Sequence, residues 1–165
     1  MAEGRSPLYP GTCRNLSDDE RAQRLGDGEG FALRLDVAKA AAQTGPLDWK
    51  DEGRGVIKAT PELLGDVVIA RKDTPTSYHL AVAVDDALQG VTLVTRGEDL
   101  FATTHIHRLL QALLDLPTPL YRHHPLLTDA SGKRFAKRDK ALTLRSLREA
   151  SRTPEEVRAM ADSVK

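Results

Sequence analysis

The chain has 165 residues, enough for one domain with a core of its own, and its 24 basic and 24 acidic side chains cancel to a formal charge of zero. That balance gives no global electrostatic footprint for nucleic acid or membrane, so any RNA contact must come from a local patch. A single cysteine, Cys13, excludes an intrachain disulfide, and there is no signal-peptide pattern or apolar run of bilayer length, which makes the cytoplasm the expected compartment.

Residues 1–16, with Gly4, Pro7, Pro10 and Gly11, read as loop. Ser17 to Glu20 has the Ser-x-x-Glu spacing of a capping box and predicts a short helix to about Leu25. The glycines from Gly26 to Gly30 break it. They precede a strand and do not link a strand to a helix, so they read as a turn and not as a phosphate cradle. Phe31 to Val37 alternates at the period of a half-buried strand. From Ala38 to Leu64 the pattern is weak, and Trp49, between Asp48 and Lys50, suggests a short edge strand beside a surface loop.

The following stretch is the most patterned. Val67 to Ala70 has the pattern of a buried strand, Tyr78 to Leu88 that of an apolar helix, and Val91 to Val94 is a second apolar run that stops at Thr95-Arg96-Gly97-Glu98-Asp99. An apolar strand ending at once in Gly and charge is what the carboxyl edge of an open parallel sheet presents, where α/β folds place ligands. Thr103 to Leu114 puts Ile106, Leu109, Leu110, Leu113 and Leu114 on one helical face. Leu120 to Thr128 reads as a strand and Asp129 to Gly132 as a turn. Helices over 141–150 and 154–164 follow, the second with Thr153 as N-cap and Glu156 three residues on.

Arg96 leads the residues that could carry chemistry. A guanidinium at the end of a buried strand is costly unless it meets an anion, and its planar fork suits a carboxylate. An internal ion pair with Asp85, Asp86, Glu98 or Asp99 is the competing reading. Tyr78 begins the apolar helix, and its hydroxyl needs a polar partner if the ring is buried. Lys133 to Arg138 places four cations in six residues on a turn, enough to neutralise phosphate charge, though such a run also suits a solvated face. Tyr9 and Cys13 do not by themselves build a four-ligand zinc site. His105 and His107 do not share a helix face, and His123 and His124 point to opposite sides of a strand. Asp85-Asp86 could hold magnesium or simply serve a helix terminus.

The segment from Ser77 to Leu100, the block from Leu126 to Asp139 and Tyr9 to Arg14 together resemble the class I glutamyl-type aminoacyl-tRNA synthetases, and within them the short branch that attaches glutamate to the queuosine of tRNA(Asp). The resemblance implies an α/β fold: an incomplete class I synthetase Rossmann-type catalytic domain (second half) over 65–165, preceded over 1–64 by part of the connecting insertion with a remnant of a zinc-binding element. It implies that Tyr78 and Arg96 bind the glutamate substrate, with Val82 where full-length relatives often carry Asn. It further implies that Arg134, Phe135, Ala136, Lys137 and Arg138 form a KMSKS-like loop, in which Lys137 meets the phosphates of ATP with its Mg2+ and Ala136 replaces the motif's hydroxyl. Tyr9 and Cys13 would be part of a metal site, with Zn2+ only if further ligands lie upstream.

No His-Ile-Gly-His tetrapeptide, the ATP-binding signature of the class, occurs in the sequence. The expected reaction is ATP-dependent activation of glutamate and its transfer to tRNA(Asp). This chain is expected to represent the C-terminal half of such an enzyme and to be inactive alone, with a separate N-terminal half as partner. An ordinary glutamyl-tRNA synthetase and a non-catalytic tRNA-binding or partner-binding remnant are the alternatives. A half-sheet would expose strand edges that call for cover.

Overall fold

Helix α4, Phe101–Leu113, is the element around which the rest is packed. Its sequence carries two stripes at helical spacing: Ile106, Leu109, Leu110 and Leu113 on one side, Thr104, His107, Arg108 and Gln111 on the other. In the computed structural model, which describes residues 8–28, 30–126, 128 and 143–162, the two stripes meet different partners.

The apolar stripe enters the core. Ile106, Leu109 and Leu110 are buried with Val37 and Ala40 of α2 (Val37–Thr44), Ala83 of α3 (Tyr78–Leu88) and Val67. Leu35, Leu47, Leu64, Ile69 and Leu113 close the periphery.

The polar stripe faces a sheet. Strands β5 (Leu93–Gly97) and β6 (Leu120–His124) flank α4 in the chain and pair in parallel from Leu93↔Leu120 to Gly97↔His124, as a strand–helix–strand unit requires. Strand β2 (Asp48–Asp51) lies parallel to β6 on its other side, and β3 (Gly55–Lys58) returns antiparallel to β2, giving the order β3-β2-β6-β5. Period-two alternation points Trp49, Asp51, Arg96 and Tyr121 toward α4, and leaves Lys50, Leu93, Thr95 and Arg122 exposed on the opposite face. A second, two-stranded sheet pairs β1 (Leu33–Arg34) with β4 (Val68–Ala70), antiparallel.

The capping box of Ser17 and Glu20 starts α1 (Asp18–Gly26), and α3 occupies the expected residues behind an N-cap at Ser77. The closing helices are α5 (Leu144–Glu149), capped by Thr143, and α6 (Pro154–Asp162), where Thr153 and Glu156 exchange hydrogen bonds.

Four expectations are corrected. The half-buried strand over 31–37 shrinks to two exposed residues, because the Asp36 carboxylate accepts from Lys39 N and turns the chain into α2 at Val37. Trp49 is not at an edge: β2 is an inner strand and the indole is 3% exposed. Conversely, β5 is an edge strand among the described residues, with Leu93 40% exposed, since only one of its faces lies against α4. The segment Val67 to Ala70 belongs mainly to the small antiparallel sheet and is half-buried beyond Val67. Elements from both sides of Leu64 share the larger sheet and the core.

Candidate functional site

Strand β5 ends where chemistry was expected. At Gly97 a Cβ would lie 2.6 Å from Asp99 Oδ1 and 2.9 Å from Leu126 Cδ2, so a larger residue would have to displace those two side-chain ends as the chain turns through Glu98–Leu100 into α4. The turn brings the first two turns of α4 back over Arg96.

The Arg96 side chain is buried, 8% exposed, and none of its described hydrogen-bond partners is a carboxylate. Its Nε donates to His123 Nε2 at 3.2 Å, one Nη to His107 Nδ1 at 3.1 Å, and the other Nη to the Thr104 hydroxyl. The guanidinium carbon sits 5.1 Å from the centroid of the Tyr121 ring. Of the acids near it in sequence, Glu98 pairs with Arg54, and Asp86 has its pKa pushed up by burial, against which the charge of Arg96 is a smaller downward pull. A buried guanidinium held by neutral acceptors keeps its whole charge, and that charge favours an anion in front of it.

Because Arg96 only donates, the tautomers of its partners follow. His123 must offer a bare Nε2 and carry its proton on Nδ1, which lies 2.6 Å from Asp51 Oδ2. Asp51, 1% exposed, also accepts from Gly53 N and His123 N; burial pushes its pKa up, but the bonds from His123 and Gly53 outweigh it and hold the carboxyl below its ordinary value. His107 accepts at Nδ1, so its Nε2–H points to His79 Nδ1 at 3.2 Å. Burial, then the charge of Arg96, lowers the His107 pKa to about 3, so the ring stays neutral as the geometry demands. His79 is lowered by burial and then by Arg96, and His123 by burial, which with the charge of Arg96 outweighs the upward pull of its bond to Asp51.

Tyr78, the first residue of α3, is 51% exposed and sets its ring edge-on against His107, with centroids 5.6 Å apart. His107 thus stands between Tyr78 and Arg96, and the two residues singled out in the sequence share one neighbourhood. Lys137 and the loop Arg134, Phe135, Ala136, Lys137 and Arg138 lie outside the described residues. Tyr9 and Cys13 adjoin, with the Tyr9 hydroxyl accepting from Cys13 N at 2.8 Å and the thiol exposed. They offer two donors where structural zinc takes four, and among the described residues no group of three or more His, Cys, Asp or Glu could hold a metal. The residues present do not make up a zinc site.

Sequence reasoning did not single out Asp51, His79 or Thr104, and it set His107 and His123 aside after weighing them only as members of histidine pairs. For His123 a signal existed: it is the register partner of Arg96, and strand alternation puts it on the same face as Tyr121.

Comparison with known proteins places this geometry in a family. The chain matches the family described as tRNA synthetases class I (E and Q), catalytic domain, over residues 1–160. It is 46% identical over 157 residues to a glutamyl-Q tRNA(Asp) synthetase of Rhodobacter capsulatus, covering 93% of this chain and 55% of the relative. With the protein of that name from Nocardia farcinica it shares 43% over 152 residues, 92% of this chain and 46% of the other. The chain therefore spans about half the length of these curated relatives. The crystal structure of a glutamate-tRNA synthetase from Elizabethkingia anophelis superposes with a TM-score of 0.61 at 25% identity, over 80% of this chain and 27% of that one. By the family match over nearly all its residues, carried by a mixed α/β fold, the chain belongs to the class I tRNA synthetase (E and Q) catalytic-domain family.

Proposed function

We propose that this chain carries the glutamate-binding portion of a synthetase that activates glutamate with ATP and transfers it to the queuosine of tRNA(Asp). The observation that carries the reading is Arg96, buried and hydrogen-bonded by His123, His107 and Thr104 while facing no described carboxylate partner. In this reading Arg96 takes a carboxylate of glutamate and Tyr78 lines the same site. At an effective dielectric of about 20, a carboxylate about 4 Å from the guanidinium gains about 4 kcal/mol before desolvation. Lys137 of the KMSKS-like loop 134–138 meets the phosphates of ATP, which brings Mg2+ with it, and residues 1–64 derive from the family's connecting insertion. The names of the relatives support tRNA(Asp) and queuosine, and this reading places the protein in the cytoplasm.

Since the 165 residues contain no His-Ile-Gly-His tetrapeptide, glutamate-dependent pyrophosphate exchange is expected only when a chain bearing that motif is supplied. The solved glutamate-tRNA synthetase keeps a second reading in view, with tRNA(Glu) as acceptor. The test begins with the isolated chain: L-glutamate should shift the Arg96 Nε–H resonance more than L-glutamine does. In Arg96→Met the same titration, followed on the resonances of the neighbouring His107 and Tyr78 rings, should need roughly 100-fold or more L-glutamate, the scale of a lost charged pair. Equal shifts from the two amino acids would refute Arg96 as the reader of the side-chain carboxylate, and no shift from either would refute it as a substrate-binding residue. Once the motif-bearing half is supplied, charging of queuosine-free tRNA in preference to tRNA(Asp) containing queuosine would favour the second reading.

A further inference from the structure

The geometry points to Asp51 as the positioning residue of the anion site, acting on Arg96 through the imidazole of His123. This rests on the reading of Arg96 as a substrate-binding residue, and it assigns the site a second layer that begins on a different strand.

The inference follows from counting donors. Arg96 Nε–H needs an acceptor in the plane of the guanidinium, and His123 Nε2 at 3.2 Å supplies one only while its proton is on Nδ1. Free neutral histidine favours the opposite tautomer, with its proton on Nε2, so the contact needs a partner that holds the proton on Nδ1. Asp51 Oδ2, 2.6 Å from His123 Nδ1, does hold it, because a carboxylate accepts and never donates when ionised. Asp51 is itself fixed: its Oδ1 accepts from Gly53 N at 2.9 Å and its Oδ2 from His123 N at 3.3 Å, so the carboxylate plane is set by the turn that follows β2 and by the backbone of β6. The side chains of Asp51 and His123 are 1% and 0% exposed, so water does not compete for the link.

The same arrangement keeps the acid away from the cation. Direct contact between Asp51 and Arg96 would neutralise the guanidinium and leave little for a ligand. One neutral ring between them transmits orientation without cancelling the charge. The other end of the fork is held in the same way, by His107 with His79 behind it at 3.2 Å and by Thr104, so neutral groups fix Arg96 at all three nitrogens. Residues whose rotamers are locked by such a supporting layer bind with geometry already in place.

The readout is the nitrogen spectrum of the histidine rings in the uniformly labelled 165-residue chain, which needs no catalysis. The wild-type protein should show His123 protonated at Nδ1 and bare at Nε2. A spectrum with the proton on Nε2, or on both nitrogens, at neutral pH overturns the proposal without any variant. In Asp51→Leu, similar in volume and without an acceptor, nothing holds the His123 proton on Nδ1, so the His123 nitrogen spectrum should lose its single Nδ1–H form and the Arg96 Nε–H resonance should broaden or shift. The response of Arg96 to L-glutamate should then weaken roughly tenfold, as when groups that orient ligand-binding histidines are removed. An unchanged tautomer with an unchanged glutamate response in a folded Asp51→Leu would also overturn it. If the tautomer moves as expected but wild-type Arg96 ignores glutamate, the positioning link stands and the substrate assignment fails, so the two failures are told apart.

Discussion

The two sides of α4 solve different problems with the same helical spacing. Ile106, Leu109 and Leu110 bury apolar surface against α2 and α3, with nothing on that side that needs a proton or a charge. Two residues away around the helix, Thr104, His107 and Gln111 are equally buried, yet each is committed to a hydrogen bond with a residue of the sheet: Arg96 for the first two, Tyr121 for the last. The first side stabilises by area removed from water, a non-directional effect in which one aliphatic group substitutes roughly for another. The second side gains little net stability from each bond but would lose much if a partner were left alone. A helix of 13 residues therefore serves as core on one side and as support for a charged site on the other.

The sharpest separation comes from Leu109, which is fully buried in the apolar stripe. Leu109→Ala should cost about 2–5 kcal/mol by lost transfer energy and the cavity left behind, read as a fall in the urea midpoint at constant slope. In the fraction that remains folded, the tautomer of His123 and the glutamate response of Arg96 should be those of the wild type. Loss of either signal under conditions where far-ultraviolet dichroism is intact would mean that the two sides are not independent, and the comparison would break.

Acid should attack the other side. The folded-state pKa of His107 is about 3 against an ordinary 6.5, held down by burial and then by Arg96 and His79. The unfolded chain therefore takes up a proton that the folded chain refuses, and stability falls as pH drops below about 6.5. The slope from this one residue approaches 1.4 kcal/mol per pH unit, or about 2 kcal/mol by pH 5. His79, His105 and His123, all lowered, act in the same direction. Asp51 is lowered as well, so its contribution is full above its ordinary value of 3.8 and is lost only in stronger acid, outside this window. Urea midpoints at pH 7 and pH 5 measure the total. His107→Gln, whose amide can accept from Arg96 and donate to His79, should flatten the dependence. A midpoint indifferent to pH over this range would show that the imidazoles are not buried neutral.

What the sequence disclosed follows the same division. The stripe from Ile106 to Leu113 was readable because the spacing of one helix defines it, and the capping box at Ser17 and the start of α3 were readable because caps are local. The partners of Arg96 were not, since His107, His123 and Asp51 come from three elements and meet only through the register of β5, β6 and β2. Trp49 misled for a related reason. In a strand with one exposed face, charged neighbours such as Asp48 and Lys50 are what an inner position looks like. Leu33, Leu35 and Val37 alternated like a strand, but a single side-chain bond from Asp36 outweighed the alternation. The resemblance supplied Tyr78 and Arg96, and the structure brings both to His107.

The polar side is not uniform, and its far end should yield the smallest effect. Gln111 Nε2 donates to the Tyr121 hydroxyl at 3.0 Å, while Gln111 Oε1 is buried with no partner among the described residues. Burial raises the Tyr121 pKa, so the phenol stays neutral and the pair carries no charge. Replacing both partners together, Gln111→Met with Tyr121→Phe, removes one neutral hydrogen bond and one unsatisfied acceptor while keeping the shape and the aromatic face beneath Arg96. Such paired replacement is close to neutral when volume is conserved, so the urea midpoint should move by less than about 1 kcal/mol equivalent and the glutamate response should persist. Gln111→Met alone, which strands the phenol, should be the more damaging change. If the double variant instead loses the Arg96 response, the hydroxyl of Tyr121 is part of the anion site, and the supporting layer extends along the whole polar side of α4.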